Sequence, residues 1–226
     1  FFEVKENYGP EMVTAFIRLN GMTVGCVANR TEVLDEENEK TAEYEPVLGA
    51  RGCDKAAEFV SFCDAFNIPV LALVNVKGYK QSKCTERRIA KAAGRLTYAF
   101  ANADVPKVTV VIGEAYGSAY VTMNSKSIGA DIVYAWPDAK IGMMDAAAAV
   151  KIMYAEEISA SDKAAALISE KAAEYEALQS SAAAAAGRGY VDDIIKADET
   201  RQRVIAAFEM LFTKREGRPS RKHGTV

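Results

Sequence analysis

Histidine is almost missing from this 226-residue chain: the single copy, His223, lies in the polar C-terminal tail. A metal site built on imidazole, or a nucleophile activated by a histidine base, has no such residue to use in the body of the sequence, and no metal site is expected. Long apolar runs are missing too, and none approaches the roughly 20 residues that a membrane-spanning helix requires. Cysteine is sparse. Cys26, Cys53, Cys63 and Cys84 follow neither metal-ligand spacing nor the regularity of a disulfide framework. Four unpaired thiols suit a reducing, cytoplasmic setting. A strong charge of either sign is also lacking, since the net charge is −3, which gives no electrostatic case for nucleic acid or an anionic membrane.

What remains is 50% hydrophobic and 26% charged, with 15 Gly and 6 Pro. That composition describes a globular chain with a sizeable core, and residues 1–226 read as one α/β domain with disorder expected only in the tail. The chain opens Phe1-Phe2-Glu3-Val4 without a Met or a signal-peptide pattern, so a longer parent polypeptide is expected.

The stretch from Lys107 to Ser125 organises the rest. The β-branched run Val108 to Ile112 reads as a buried strand, Gly113 and Gly117 punctuate a turn, and Ser118 to Ser125 reads as a helix. The first N–H groups of such a helix have no intrahelical acceptor, and the macrodipole adds partial positive charge there. Small residues at Gly117, Ser118 and Ala119 let a ligand approach the backbone. A main-chain oxyanion hole is the expectation; a plain strand-turn-helix, kept small for tight packing, is the alternative.

Elsewhere, Met12 to Asn20 and Met22 to Asn29 read as a hairpin joined by Asn20-Gly21, and Arg30 to Pro46, crowded with acids, as a solvated loop. Cys53 to Asn67 has helical spacing, with Phe59, Val60, Cys63 and Phe66 on its apolar face and Asp54 in its first turn. Val70 to Val76, interrupted only by Asn75, reads as a strand covered on both faces. Lys83 to Asn102 reads as one long amphipathic helix, Asp131 to Ala135 and Ala139 to Met143 as short strands, and Ala146 to Tyr154 as helical. Ser161 to Leu178 and Ser181 to Ala186 read as Ala-rich helices, Gly187 to Val191 as a turn into an extended piece, and Asp198 to Arg215 as a terminal helix. The alternation of strand and helix gives an α/β class with largely parallel pairing. Phe59, Val60, Phe66, Val108, Val110 and Ile112 are the expected core.

Several words of this sequence resemble a known family in both order and spacing. They are Phe1-Phe2-Glu3-Val4, Arg18-Leu-Asn-Gly21, Val24-Gly25, Val27-Ala28-Asn29, Asp54-Lys-Ala-Ala57, Phe62-Cys-Asp-Ala-Phe-Asn-Ile-Pro69 and Val105-Pro-Lys-Val-Thr109. Ala115-Tyr-Gly-Ser-Ala-Tyr120, Gly129-Ala-Asp131, Tyr134-Ala-Trp-Pro137, Gly189-Tyr-Val-Asp192 and Lys222-His-Gly224 continue the series. Together they resemble the C-terminal half of the carboxyltransferase component of biotin-dependent acyl-CoA carboxylases and decarboxylases. The resemblance implies a crotonase-like superhelix of ββα units and transfer of a carboxyl group between an acyl-CoA and biotin, the cofactor, held on a separate carrier protein. It implies a CoA-binding N-terminal half as partner and a homo-oligomer with the site between subunits. It further implies that the N–H groups of Ser118 and Ala119 bind the biotin ureido oxygen, with Gly78, Tyr79, Tyr116 and Gly117 around the biotin.

The chain departs from the family pattern near the implied pocket. Asn75 and Lys77-Gly78-Tyr79 stand where an Asp and a Pro-Gly-Phe sequence are usual, Asp145-Ala-Ala-Ala-Ala149 where Gly-Pro-Glu-Gly is usual, and Ser118 where a second Gly is usual. Two other readings follow from the residues. A serine hydrolase would put Ser118 on a nucleophile elbow, but Tyr116 and Tyr120 occupy the positions that the elbow reserves for Gly. A non-catalytic half that only docks a carrier or a partner subunit is the other. Lys77 has two readings as well, a solvated loop residue or a ligand to a carboxylate.

Overall fold

The computed structural model describes residues 1–34, 37–161 and 163–217, so the tail with His223 and the Lys222-His-Gly224 word lies outside the described residues. Strand β1 (Phe2–Glu3) pairs antiparallel with β2 (Met12–Leu19), which forms a hairpin with β3 (Met22–Asn29). Asn20 and Gly21 sit at φ 48° and 80°. Positive φ at both central residues suits the twist of a two-residue hairpin. The acid-rich segment is more ordered than expected: β4 (Glu32–Leu34) and β5 (Lys40–Glu43) form a small antiparallel pair, with Lys40 bridging Glu32 and Glu43. One lysine between two carboxylates sets opposite charges beside each other in a stretch that its crowd of acids made read as a loop.

After β6 (Val47–Leu48), helix α1 (Ala50–Ala65) starts three residues before Cys53, the start expected from periodicity. Asp54 therefore lies beyond the first turn, where it pairs with Arg95 at 2.8 Å. Phe59, Val60 and Cys63 are buried as expected, but Phe66 is 63% exposed. The helix ends before Phe66, whose φ of −107° and ψ of 13° turn it off the apolar face. Its ring rests on half-exposed Phe62, with centroids 4.5 Å apart.

Strand β7 (Val70–Val76) is followed by β8 (Gly78–Tyr79), which pairs with β6. The expected long helix is broken: α2 (Lys83–Glu86) is capped by Ser82, and α3 (Ile89–Asn102) starts anew after Arg87-Arg88. Strand β9 (Lys107–Tyr116) is longer than the β-branched run, and helix α4 (Gly117–Thr122) is shorter than expected. Asn124 at φ 61° ends α4, and its side chain and carbonyl bind Thr109 of β9 at 2.9 and 2.7 Å. A 3-10 turn at Lys126–Ile128 leads to β10 (Ile132–Ala135), then β11 (Lys140–Gly142), α5 (Ala146–Met153), α6 (Ala155–Ala160), α7 (Ala164–Tyr175) and a π-helical turn at Glu176–Ser180. Helix α8 (Ala182–Gly187), strand β12 (Asp193–Ile194) and helix α9 (Thr200–Met210) follow, and a 3-10 turn at Leu211–Thr213 replaces the end of the expected terminal helix.

Among the described residues the main sheet has the order β1-β2-β3-β7-β9-β10-β12, with β11 also on β9 and every pairing from β3 onward parallel. Alternation along the strands divides the core. Val70, Ala72, Val74, Val111 and Ala115 face α1, α3, α4 and α8; Leu71, Val108 and Val110 face Val204, Ala207 and Phe208 of α9. Ile112, expected in the core, is only partly buried against this second layer. Burial pushes the thiols of Cys26, Cys53 and Cys63 up to about 12, so these side chains serve as small apolar groups; Cys84 is exposed.

Candidate functional site

The site begins with an irregularity in the sheet. Val74 pairs with Val111 and Val76 with Ala115, so Asn75 alone spans the gap that Ile112, Gly113 and Glu114 cross on β9. Asn75 Oδ1 accepts the Glu114 N–H at 3.0 Å, and the Asn75 N–H donates to Asn29 Oδ1 at 3.2 Å. A Cβ at Gly113 would stand 2.6 Å from Asn75 Oδ1, so glycine is what lets the side chain into the bulge. The residue that broke the apolar run is thus a plug that replaces lost ladder hydrogen bonds. Past the bulge β9 leaves β10 and takes β11 as its neighbour, with Lys140 opposite Glu114.

Ion pairs accompany that switch. Lys77 reaches Glu114, a carboxylate of this chain, at 3.0 Å, with its side chain still 52% exposed. Lys140 pairs with Glu176 at 2.7 Å, and that hydrogen bond holds its ammonium above the ordinary range.

Strand β9 then turns into α4 at Gly117, which has φ 58°, in the left-handed region. A Cβ there would also come within 2.9 Å of the Met143 carbonyl oxygen. Both observations require glycine. No side chain caps α4, so its first N–H groups depend on what approaches them. Ser118 is exposed and Ala119 is buried behind it.

Ser118 lies in a groove of about 470 Å³ lined by Tyr79, Ile89, Ala90, Ala93, Gly94, Thr97, Val121 and Thr122 as well. Its walls are apolar, and its polar end is a cluster of hydroxyls. Thr122 Oγ1 donates to the Ser118 carbonyl at 2.9 Å and accepts from Thr97 Oγ1 at 3.2 Å. A hydroxyl has one proton, and Thr122 spends its proton on Ser118, so the 3.0 Å contact with Tyr79 has the Tyr79 OH as donor. The Ser118 carbonyl and the Ala119 N–H belong to one peptide unit, so this chain of hydroxyls fixes the orientation of that N–H.

Of the six residues singled out in the sequence, Tyr79 and Ser118 line the groove, and Gly117 and Ala119 make the turn beneath it. Gly78 pairs with Val47 one residue before Tyr79. Tyr116 is 4% exposed, and burial followed by the Glu114 charge raises its phenol well above the ordinary range. It is not among the groove-lining residues. Ala90, Ala93, Gly94, Thr97 and Thr122 were not foreseen. For the four on α3 the signal is a run of small residues on one side of the helix, which also describes ordinary helix packing.

A mixed sheet with helices on both faces and a groove over a strand-to-helix turn places the chain among α/β proteins, and its likeness to solved carboxyltransferases assigns it their crotonase-like fold. The carboxyl transferase domain model matches residues 1–226, and the chain belongs to that family. It is 42% identical over 225 residues to the methylmalonyl-CoA carboxyltransferase 12S subunit of Propionibacterium freudenreichii subsp. shermanii, covering 99% of this chain and 41% of that one. It is 40% identical to the methylmalonyl-CoA decarboxylase subunit alpha of Propionigenium modestum, covering 100% of this chain and 42% of the relative. The crystal structure of the transcarboxylase 12S subunit, a hexamer with methylmalonyl-CoA bound, superimposes with a TM-score of 0.87 at 41% identity, over 99% of this chain and 41% of that one. The chain thus spans about two-fifths of the length of these relatives. Among the described residues no helix is long and apolar enough to cross a membrane.

Proposed function

We propose that residues 1–226 form the C-terminal, biotin-side domain of a biotin-dependent acyl-CoA carboxyltransferase or decarboxylase. The observation that carries this reading is the uncapped turn at Gly117-Ser118-Ala119 at the polar end of an otherwise apolar groove. The groove suits a biotin presented by a carrier protein: Ile89, Ala90, Ala93 and Val121 would meet its apolar part, and the turn its ureido group. Biotin supplies a ureido oxygen on which negative charge gathers as the carboxyl group leaves its ring nitrogen. The N–H groups of Ser118 and Ala119 would donate to that oxygen without reorganising, and the Tyr79 and Thr122 hydroxyls, linked to each other and through Thr122 to the Ser118 carbonyl, would hold the Ala119 N–H in place. Losing one such donor typically costs about 3 kcal/mol, roughly a hundredfold in rate. No histidine, thiol or serine nucleophile is called for. The acyl-CoA, the half of the protein that holds it, the biotin carrier and a homo-oligomer with the groove near a subunit boundary are the partners of this reading; the cytoplasm is its setting. Methylmalonyl-CoA is the test substrate, since the relatives above carry its name.

One position separates backbone from side-chain chemistry. In the full-length protein, Ser118→Ala removes only the hydroxyl and is expected to keep carboxyl transfer from methylmalonyl-CoA to biotin within a few-fold. Ser118→Pro also removes the N–H and is expected to lower transfer by about a hundredfold, since Pro is tolerated in a first helical turn. An inactive but folded Ser118→Ala would instead support the serine hydrolase reading, in which the hydroxyl is the nucleophile.

A further inference from the structure

Charge is unevenly spread around the groove. Between Lys77 and Arg95 the sequence carries seven cations and one acid, Glu86, in a chain whose net charge is −3. The two ends of this stretch are neutralised, Lys77 by Glu114 and Arg95 by Asp54. The five between them, Lys80, Lys83, Arg87, Arg88 and Lys91, are exposed and form no ion pair among the described residues. Some exposed cations elsewhere pair with acids, as Lys5 does with Glu58 and Lys126 with Asp192, and others, such as Arg18, Lys151, Lys196 and Arg201, form no ion pair among the described residues; what sets this stretch apart is that its five are clustered with a single acid between them. The backbone that carries Lys83, Arg87 and Arg88 is also held in place. Ser82 caps α2 through Thr85, which is 7% exposed, and the Arg88 N–H donates to the Thr85 carbonyl at 2.9 Å. Five like charges with one acid among them repel one another and weaken the fold, so their use is to be sought outside the fold.

Its position indicates that use. Lys80 follows Tyr79, Arg88 precedes Ile89 and Lys91 follows Ala90, and Tyr79, Ile89 and Ala90 line the groove. The inference that follows rests on the reading of the groove as a biotin site. A ligand that arrives tethered to a protein brings that protein's surface against the groove rim, so the rim's charge must suit the carrier. We propose that the basic rim from Lys80 to Lys91 docks an acidic face of the biotin carrier protein. A single small anion meets one or two of these side chains, because they are spread over a loop and two helices; a protein surface is wide enough to meet more of them. The rim would steer the carrier by long-range attraction and leave the chemistry to the groove.

The test uses the full-length protein and the triple variant Lys83→Glu, Arg87→Glu, Arg88→Glu, none of which lines the groove. Carboxyl transfer from methylmalonyl-CoA is measured to a recombinant biotinylated carrier domain and, separately, to free biotin. The expected result is a KM for the carrier raised by about tenfold or more with little change in kcat, while kcat/KM for free biotin stays within twofold. In the unaltered enzyme, kcat/KM for the carrier is expected to fall steeply with added salt and that for free biotin to stay flat. An unchanged carrier KM, a flat salt profile with the carrier, equal loss with both acceptors, or a raised KM for methylmalonyl-CoA alone each overturns the proposal; the last would assign the rim to CoA phosphates. If the unaltered enzyme transfers to neither acceptor, the biotin-site reading itself fails and the docking face falls with it.

Discussion

Helices α1 and α3 on one side and α6 and α7 on the other are all rich in alanine and apolar residues, yet they have opposite environments. Ala56, Val60 and Cys63 of α1 and Ala92, Leu96 and Phe100 of α3 are buried against the sheet. No residue of α6 or α7 is buried, and the adjoining Ile152, Met153 and Leu178 are 68%, 62% and 71% exposed. Helices of the first kind form because they cover a sheet. Those of the second kind form largely because alanine, glutamate, lysine and leucine favour the helix. The body of the molecule is thus a packed layer, and the end of α5 with α6 and α7 is an arm that leaves apolar side chains uncovered in this chain, whereas Ala146, Ala149 and Val150 earlier in α5 are buried.

The largest test of this contrast removes a body side chain. Phe100 is 0% exposed and packs among α1, α3 and the sheet. Phe100→Ala is expected to cost about 3–5 kcal/mol in denaturant unfolding, because the rigid layer closes only partly over the cavity. A cost below about 1 kcal/mol would mean that the body is as loosely packed as the arm.

The body was also the part most open to reading from sequence, because its signals are local. A β-branched run gave β9, Asn20-Gly21 gave the hairpin, and helical spacing gave α1. What the sequence hid depends on partners distant along the chain. Asn75 looked like an interruption until Glu114 and Gly113 were found against it. Lys83 to Asn102 has continuous helical spacing, yet the Ser82 cap and the turn at Arg87-Arg88 split it. At the groove, Gly117 and Ser118 were legible because a strand, a glycine and a helix follow one another. Ala93, Gly94 and Thr97 were not, since only folding brings α3 beside α4.

A smaller effect sharpens the contrast within one helix. Phe66 shares the helical spacing of Phe59, which is 5% exposed, yet stands at 63% itself. Phe66→Ala is expected to cost about 1 kcal/mol or less, for its stacking on Phe62. A cost near the 3–5 kcal/mol of a buried Phe would show that spacing, rather than the helix end at Ala65, decides its burial.

The smallest expected change in stability belongs to the arm. Ile152→Ser together with Met153→Ser replaces two exposed apolar side chains, and the unfolding free energy of the chain should move by no more than about 0.5 kcal/mol. Association is where the same change should show. Apolar side chains that the chain leaves open in neighbouring positions are the kind that a second protein surface covers. Light scattering of the unaltered chain at high micromolar concentration is expected to give more than the monomer mass, and the double variant should shift it toward the monomer. If the double variant instead loses 2 kcal/mol or more, the arm packs on the body and the contrast fails. If the mass stays at that of an oligomer with stability intact, the subunits meet elsewhere, and the exposed Phe62–Phe66 pair is the next face to alter.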